Sequence, residues 1–312
     1  MKSETIGTVK KRNYLKELYA NRYLYLLMLP AILFYAVFAY GPMYGLLLAF
    51  KDYNASLGIL GSEWVGLKNF ESLLSDPYFW YVLGNTLKIS FGRLIFEFPI
   101  PILIAVLFNE LRYNKLKRTL QTVYTFPHFI SWVVLSGIVT SILDFGGPVN
   151  AIVETLGFER QAFLGKETLF KPILFITAIW KEAGWASITY LAAIVGIDTT
   201  YYEAADLDGA NRFQKVWHIT LPCIRSTILV LLVLQVGTLM TAGFDQIFNL
   251  ANPAVQKAGE ILDTYIYRIT FQTSGDFSFS TAVGIFISVV NFTMVLVTNT
   301  ISKKLSGVGI LD

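Results

Sequence analysis

Four ionisable residues lie inside otherwise apolar runs: Arg93, Glu97, Lys181 and Glu182. A charge held at mid-membrane costs about 2.5–3.5 kcal/mol on insertion scales, so such groups face protein or water rather than lipid. Arg93 and Glu97 are four residues apart and can pair on one helical face. Lys181 and Glu182 are adjacent, so a helix sets them about 100° apart. That spacing predicts that they do not pair with each other, and that at least one faces a cavity or a neighbouring helix. Asp245, Gln246 and Asn249 stand at the end of a further apolar run, and Asn85, Asn291 and Asn299 add hydrogen-bonding groups. Residues of these types can bind a polar solute. Two readings stay open: a polar translocation path flanked by aromatic faces, or hydrogen-bonded glue between packed helices.

Bond-making chemistry finds no constellation. No G-x-x-x-x-G-K-[S/T] loop is present to cradle nucleotide phosphates, and no H-E-x-x-H pair to hold zinc. His128 and His218 are the two histidines, too far apart in the chain for spacing to indicate a metal site. His128, directly after Pro127, is expected to satisfy a backbone carbonyl. The one cysteine, Cys223, excludes an intramolecular disulfide. No metal, no cofactor and no enzymatic activity are expected of this chain.

One polar stretch looks built for a partner: Tyr201–Pro222, YYEAADLDGANRFQKVWHITLP. Tyr201–Leu207 has good helix formers and no β-branched residue. Asp208-Gly209 is a turn signal, because glycine tolerates positive φ. Arg212–Ile219 can start a second short helix, and Pro222 suits the first turn of a third, where its missing N–H is harmless. The pattern predicts a helix–turn–helix lying along a membrane surface. Ala204, Ala205, Gly209 and Ala210 keep side chains out of a partner's way, while Glu203 and Asp208 offer charge at the edge. Such a knob suits a groove on another protein. An ordinary amphipathic interfacial loop is the alternative reading.

Glu203-Ala204-Ala205, Asp208-Gly209-Ala210 and Ile219-Thr220-Leu221-Pro222, at these spacings, resemble the EAA motif of permease subunits of bacterial ATP-binding-cassette importers. Val216 stands where many members have Phe. Further segments resemble the LplB-like carbohydrate permeases and carry the likeness over nearly the whole chain. They are Pro42-Met43-Tyr44-Gly45, Ala49–Tyr53, Asn85-Thr86-Leu87, Asn109-Glu110-Leu111, Pro127–Ser131 and Lys304–Gly307. The resemblance implies an all-α polytopic fold with six transmembrane helices of the type I importer kind. It places a coupling helix between the fourth and fifth spans, docked on an ATPase subunit through Glu203, Ala204, Ala205, Asp208, Gly209 and Ala210.

These residues must be positioned by membrane spans. Hydrophobic residues make up 54% of the 312, charged ones 15%, and the mean hydropathy is +0.53, outside the range of ordinary soluble domains. Apolar runs at Tyr23–Phe50, Ile89–Phe108, Phe126–Leu143, Pro172–Val195, Ile224–Phe244 and Thr281–Ile301 approach the roughly 20 residues a bilayer needs. The first is too long for a signal peptide's apolar region. Six spans put both termini on one side. Fifteen of the 25 Lys and Arg residues fall on that side and seven on the other, so the positive-inside rule makes the termini and Tyr201–Pro222 cytoplasmic. The expected division is a basic cytoplasmic segment at 1–22, a permease domain at 23–302 and a cytoplasmic tail at 303–312.

The resemblance implies a membrane subunit that imports a carbohydrate, with energy entering from outside the chain. Expected partners are a second permease subunit, homologous but distinct, two ATPase subunits carrying ATP and Mg, and an extracytoplasmic solute-binding lipoprotein. The carbohydrate is expected to be an oligosaccharide, and Arg93 and Lys181 would suit an acidic one. Arg93, Glu97, Lys181, Glu182, Asp245 and Asn249 are the candidates for its path. An ion-coupled secondary transporter or channel is the alternative that the buried charges leave open.

Overall fold

The computed structural model describes residues 19–273 and 275–307. Expectations for 1–18 and 308–312 lie outside the described residues. The first apolar run forms α1 (Arg22–Tyr35), which continues through a π turn at Ala36–Tyr40 into a 3-10 helix at Gly41–Phe50. The change of winding falls before Gly41-Pro42, and Pro30 is accommodated inside α1.

A short antiparallel pair follows, β1 (Lys51–Asp52) with β2 (Glu63–Trp64), in register Lys51 to Trp64. Lys51 staples this cap by donating to the carbonyls of Leu60 and Ser62, both at 3.0 Å. Next come α2 (Lys68–Ser75), α3 (Pro77–Phe96) and α4 (Pro99–Glu110). Asp76 caps α3 by accepting from the Tyr78 N–H, and Pro77 takes the first turn, where no donor is needed. After α5 (Asn114–Thr125), α6 (Trp132–Leu143) and α7 (Pro148–Thr155) comes α8 (Glu167–Val195). The chain then runs through α9 (Thr199–Leu207) and α10 (Arg212–Lys215) to α11 (Arg225–Gly237), and on to α12 (Phe244–Leu250), α13 (Leu262–Tyr267) and α14 (Phe277–Ser306).

Every apolar run of the sequence is matched by a helical element. Among the described residues four helices are long and apolar enough to cross a membrane: Arg22–Phe50, Pro77–Glu110, Trp132–Thr155 and Phe277–Lys304. A fifth crossing exists if Arg212–Cys223 and Arg225–Gly237, bent by 60°, count as one. The 29-residue α8 reaches about 44 Å but is not in that apolar set, Lys181 and Glu182 lying at its middle.

α8 is the hub. Its first half, with Phe170, Ile173 and Leu174, shares a buried cluster with Ile89 of α3, Leu135 and Val139 of α6, and Ile247 and Leu250 of α12. Its second half, with Tyr190, Leu191 and Ile194, packs on Ala105, Val106 and Phe108 of α4. A third cluster joins α3 to α14 through Phe79, Val82, Leu83, Val283 and Ile287. Gly184 lets α5 approach α8 closely: a Cβ there would run into the Tyr124 carbonyl. By contrast, none of the most apolar 18-residue stretch of Arg22–Phe50 is buried. The bundle thus has two ends. One carries α9 and α10; the other carries the β1–β2 cap and the segments around α7, α12 and α13.

Candidate functional site

Three of the four span charges, Arg93, Glu97 and Glu182, line one cavity, and Lys181 lies buried behind Glu182. The cavity has a volume of about 450 Å³ and lies between the α3–α4 junction, α8 and α11. Arg93 and Glu97 enter from the end of α3, Glu182 from α8 and Gln235 from α11. Arg93 Nη1 and Glu97 Oε2 are 3.6 Å apart, the pairing that their four-residue spacing allows. Arg93 also donates to Gln246 Oε1. Gln246 is fully buried and donates in turn to the Leu174 carbonyl and Thr177 Oγ1, both at 2.8 Å. Three elements are thereby tied at one level.

The guanidinium has room because residue 243 is glycine. Gly243 sits at φ +88°, and a Cβ there would lie 2.6 Å from Arg93 Nη2. This left-handed residue opens α12 after a non-helical stretch from Thr238. Backbone that leaves a helix among packed neighbours needs partners for its N–H and C=O groups. Ser90 donates to the Leu239 carbonyl, and Asn291 accepts from the Met240 N–H at 3.0 Å. Arg93 Nε and Glu97 Oε1 are the two buried side-chain polar atoms left without a partner among the described residues.

One expectation needs correction. Lys181 and Glu182 do pair: Lys181 Nζ lies 2.9 Å from Glu182 Oε1. The 100° between adjacent Cβ directions is overcome by two long side chains that bend toward a shared third group. That group is His128, and here too the expectation fails. Its ring does not satisfy a backbone carbonyl; Nδ1 lies 2.6 Å from Glu182 Oε2, and the carbonyl of His128 itself accepts from Lys181 Nζ at 2.7 Å. The imidazole stacks on Trp185 with centroids 4.6 Å apart, and Trp132 lies 5.8 Å from Lys181 Nζ. Lys181 is 6% exposed, whereas Glu182 is half-open to the cavity.

Asp245 and Asn249 do not join this cavity. Asn249 Nδ2 donates to the Asp245 carbonyl at 2.7 Å, one turn back on α12, and lines a separate hollow with Asp144 and Phe145. Tyr190 and Thr189 border the main cavity and were missed by looking for charge. Tyr190 carries a signal in periodicity, since Ala178, Glu182, Ala186 and Tyr190 recur every four residues on one stripe of α8, whereas Thr189 falls outside that spacing.

At the other candidate site, the expected helix–turn–helix is present. Asp198 caps α9 by accepting from the Thr200 N–H at 2.9 Å. Hydrogen bonds from Thr200 hold its carboxyl below the ordinary aspartate range. α9 ends at Leu207 with Asp208 as its cap, and Gly209 takes φ +75°. The Ala210 N–H then closes back on the Ala205 carbonyl at 2.9 Å, a glycine-dependent helix stop. Asn211 and Gln214 form a reciprocal capping box, at 2.9 and 2.8 Å, that starts α10. The second helix is shorter than expected. It passes at Val216–Thr220 into a π turn, then Leu221–Cys223, with Pro222 in the first turn. Lys215 pairs with Asp206 across the angle, and Tyr202 meets Thr220 Oγ1 at 2.9 Å. Leu207 is 91% exposed, Phe213 74% and Trp217 61%. A rigid, capped angle thus presents small residues and bare apolar rings outward.

The chain belongs to the family described as binding-protein-dependent transport system inner membrane component, which matches residues 97–307. It is similar to the polygalacturonan/rhamnogalacturonan transport system permease protein YteP of Bacillus subtilis (strain 168), at 43% identity over 302 residues, 96% of this chain and 94% of that protein. It is 41% identical to protein LplB of the same organism over 299 residues, with the same coverage. A solved bacterial alginate ABC transporter, in complex with an alginate pentasaccharide-bound periplasmic protein, contains a chain that superposes with TM-score 0.88 at 38% identity. That match covers 96% of this chain and 100% of that one. The protein is therefore a multi-pass membrane component of a transport system, not an enzyme.

Proposed function

We propose that the chain is one membrane half of an ATP-driven importer that moves an oligosaccharide, acidic in character, into the cytoplasm. The observation that carries this is the capped α9–α10 angle, which is made of motif residues and leaves Glu203, Ala204, Leu207, Asp208 and Gly209 exposed at one end of the bundle. Glu203, Ala204, Ala205, Asp208, Gly209 and Ala210 dock on an ATPase subunit. The six helical elements cross the membrane, with the termini and α9–α10 cytoplasmic, as the distribution of Lys and Arg requires. ATP and Mg on the two partner ATPase subunits supply the energy. A second permease subunit, homologous and distinct, completes the path, and a binding lipoprotein docks at the loop end.

Within the chain, Arg93, Glu97, Lys181 and Glu182 form the polar part of the path, and Asp245 and Asn249 stand at its outer approach. The acidic substrate class is supported by what the polygalacturonan/rhamnogalacturonan and alginate systems are named for. Liposomes holding the chain with its partners and binding protein should take up tri-galacturonate only with internal ATP. Uptake driven by an ion gradient with no ATPase subunit present would support the ion-coupled reading instead, which the Lys181–Glu182–His128 cluster keeps in play.

A further inference from the structure

A second hollow lies at the loop end, away from the membrane cavity. It measures about 330 Å³ and sits between α12 and α13. That is near the lower limit of ligand pockets, about 300 Å³, so one sugar unit fills it and the rest of a chain stays outside. Phe248 and Tyr267, edge to face at 4.9 Å, border it. Asn252, Gln256, Thr264, Gln272, Arg268 and Glu260 supply its polar side.

Arg268 is held in one pose. Its Nε donates to Glu260 Oε1 at 2.7 Å, and the rings of Tyr78 and Tyr265 lie 5.5 and 5.6 Å from the guanidinium. Glu260 is 4% exposed, and its other oxygen accepts from the Tyr78 hydroxyl. The carboxylate is thus balanced by Arg268, with a donor on each oxygen. This clamp leaves the two terminal nitrogens of Arg268 without a hydrogen bond among the described residues. A fixed planar fork with its outer N–H groups open matches a carboxylate in a bidentate grip.

We propose that this hollow is an entry subsite for an acidic sugar, in which Arg268 grips the carboxylate of one uronate unit and Phe248 and Tyr267 flank its ring. The proposal rests on the importer reading, which places this end outward. The test is equilibrium binding of tri-galacturonate and of its uncharged trimethyl ester to the assembled transporter in nanodiscs, without nucleotide. The expected result is at least tenfold tighter binding of the acid, with the difference abolished by Arg268→Gln and by Gln272→Glu and partly kept by Arg268→Lys. Arg268→Gln also strips Glu260 of its partner. Gln272→Glu, isosteric and exposed, is therefore the independent variant: it sets a carboxylate beside the fork, which repels the uronate and competes with it for the open N–H groups. Equal affinities in the wild type would overturn the proposal, as would an acid preference that survives both substitutions. Uptake is measured separately, so the importer reading and the subsite can each fail alone.

Discussion

Gly209→Asp is expected to lower ATP-driven uptake at least tenfold while the protein is made and inserted at normal levels. Gly209 sits at φ +75°, and a Cβ built there meets nothing within 4 Å. The added Cβ therefore strikes nothing among the described residues, so steric harm is expected from a partner rather than from this chain. Aspartate also sets a third carboxylate beside Asp206 and Asp208 at the tip of the angle. The left-handed backbone costs most L-residues about 1–2 kcal/mol, with Asn and Asp the usual exceptions. Gly209→Asn adopts the same backbone without the charge, so it separates strain from repulsion and should keep most of the activity. Uptake in proteoliposomes, with ATPase activity measured in parallel, reads both. Wild-type uptake by the aspartate variant would remove α9–α10 from the coupling role.

Glu182→Ala is expected to act twice. It leaves Lys181, 6% exposed, with the His128 carbonyl and the face of Trp132 but no counter-charge. Removing one member of a buried pair costs about 3–5 kcal/mol in closed sites; Glu182 is half-open, so a loss nearer 2 kcal/mol is expected. It also deletes the carboxylate that faces the cavity. The double variant Lys181→Met, Glu182→Ala removes the orphan charge and should regain most of the stability in thermal unfolding, since coupled residues are not additive. Its transport rate then reports on the cavity alone. A double variant that is stable and transports at the wild-type rate would assign the cluster to packing.

How much of this was legible in the sequence depended on whether the geometry was local. The Gly209 turn and the Arg93–Glu97 pairing follow from rules that operate within five residues, and both are present. The Lys181–Glu182 pairing was not legible. It needs His128, more than 50 positions earlier in the chain, to draw two long side chains to one place. Nor was the early end of α11 at Gly237. The apolar run continues to Phe244 with little polar punctuation, and what stabilises the break comes from elsewhere: the Ser90 hydroxyl, the Asn291 amide and the Arg93 guanidinium over Gly243. Arg268 counted in the sequence only as one positive charge on the far side. Its orientation depends on Glu260, Tyr78 and Tyr265, which the fold brings together from α3, α13 and the segment before it.

The central claim is that the chain is driven from the cytosol through α9–α10. Ala205 lines the crease of that angle with Gly209 and Ala210, so it is the place to measure contact. With Ala205→Cys in the assembled transporter, after Cys223→Ser, a short thiol crosslinker should join the chain to an ATPase subunit, and the yield should change between nucleotide-free and ATP-bound states. A crosslink that never includes an ATPase subunit would contradict the account, and so would a cysteine at 205 labelled only by an impermeant reagent from outside.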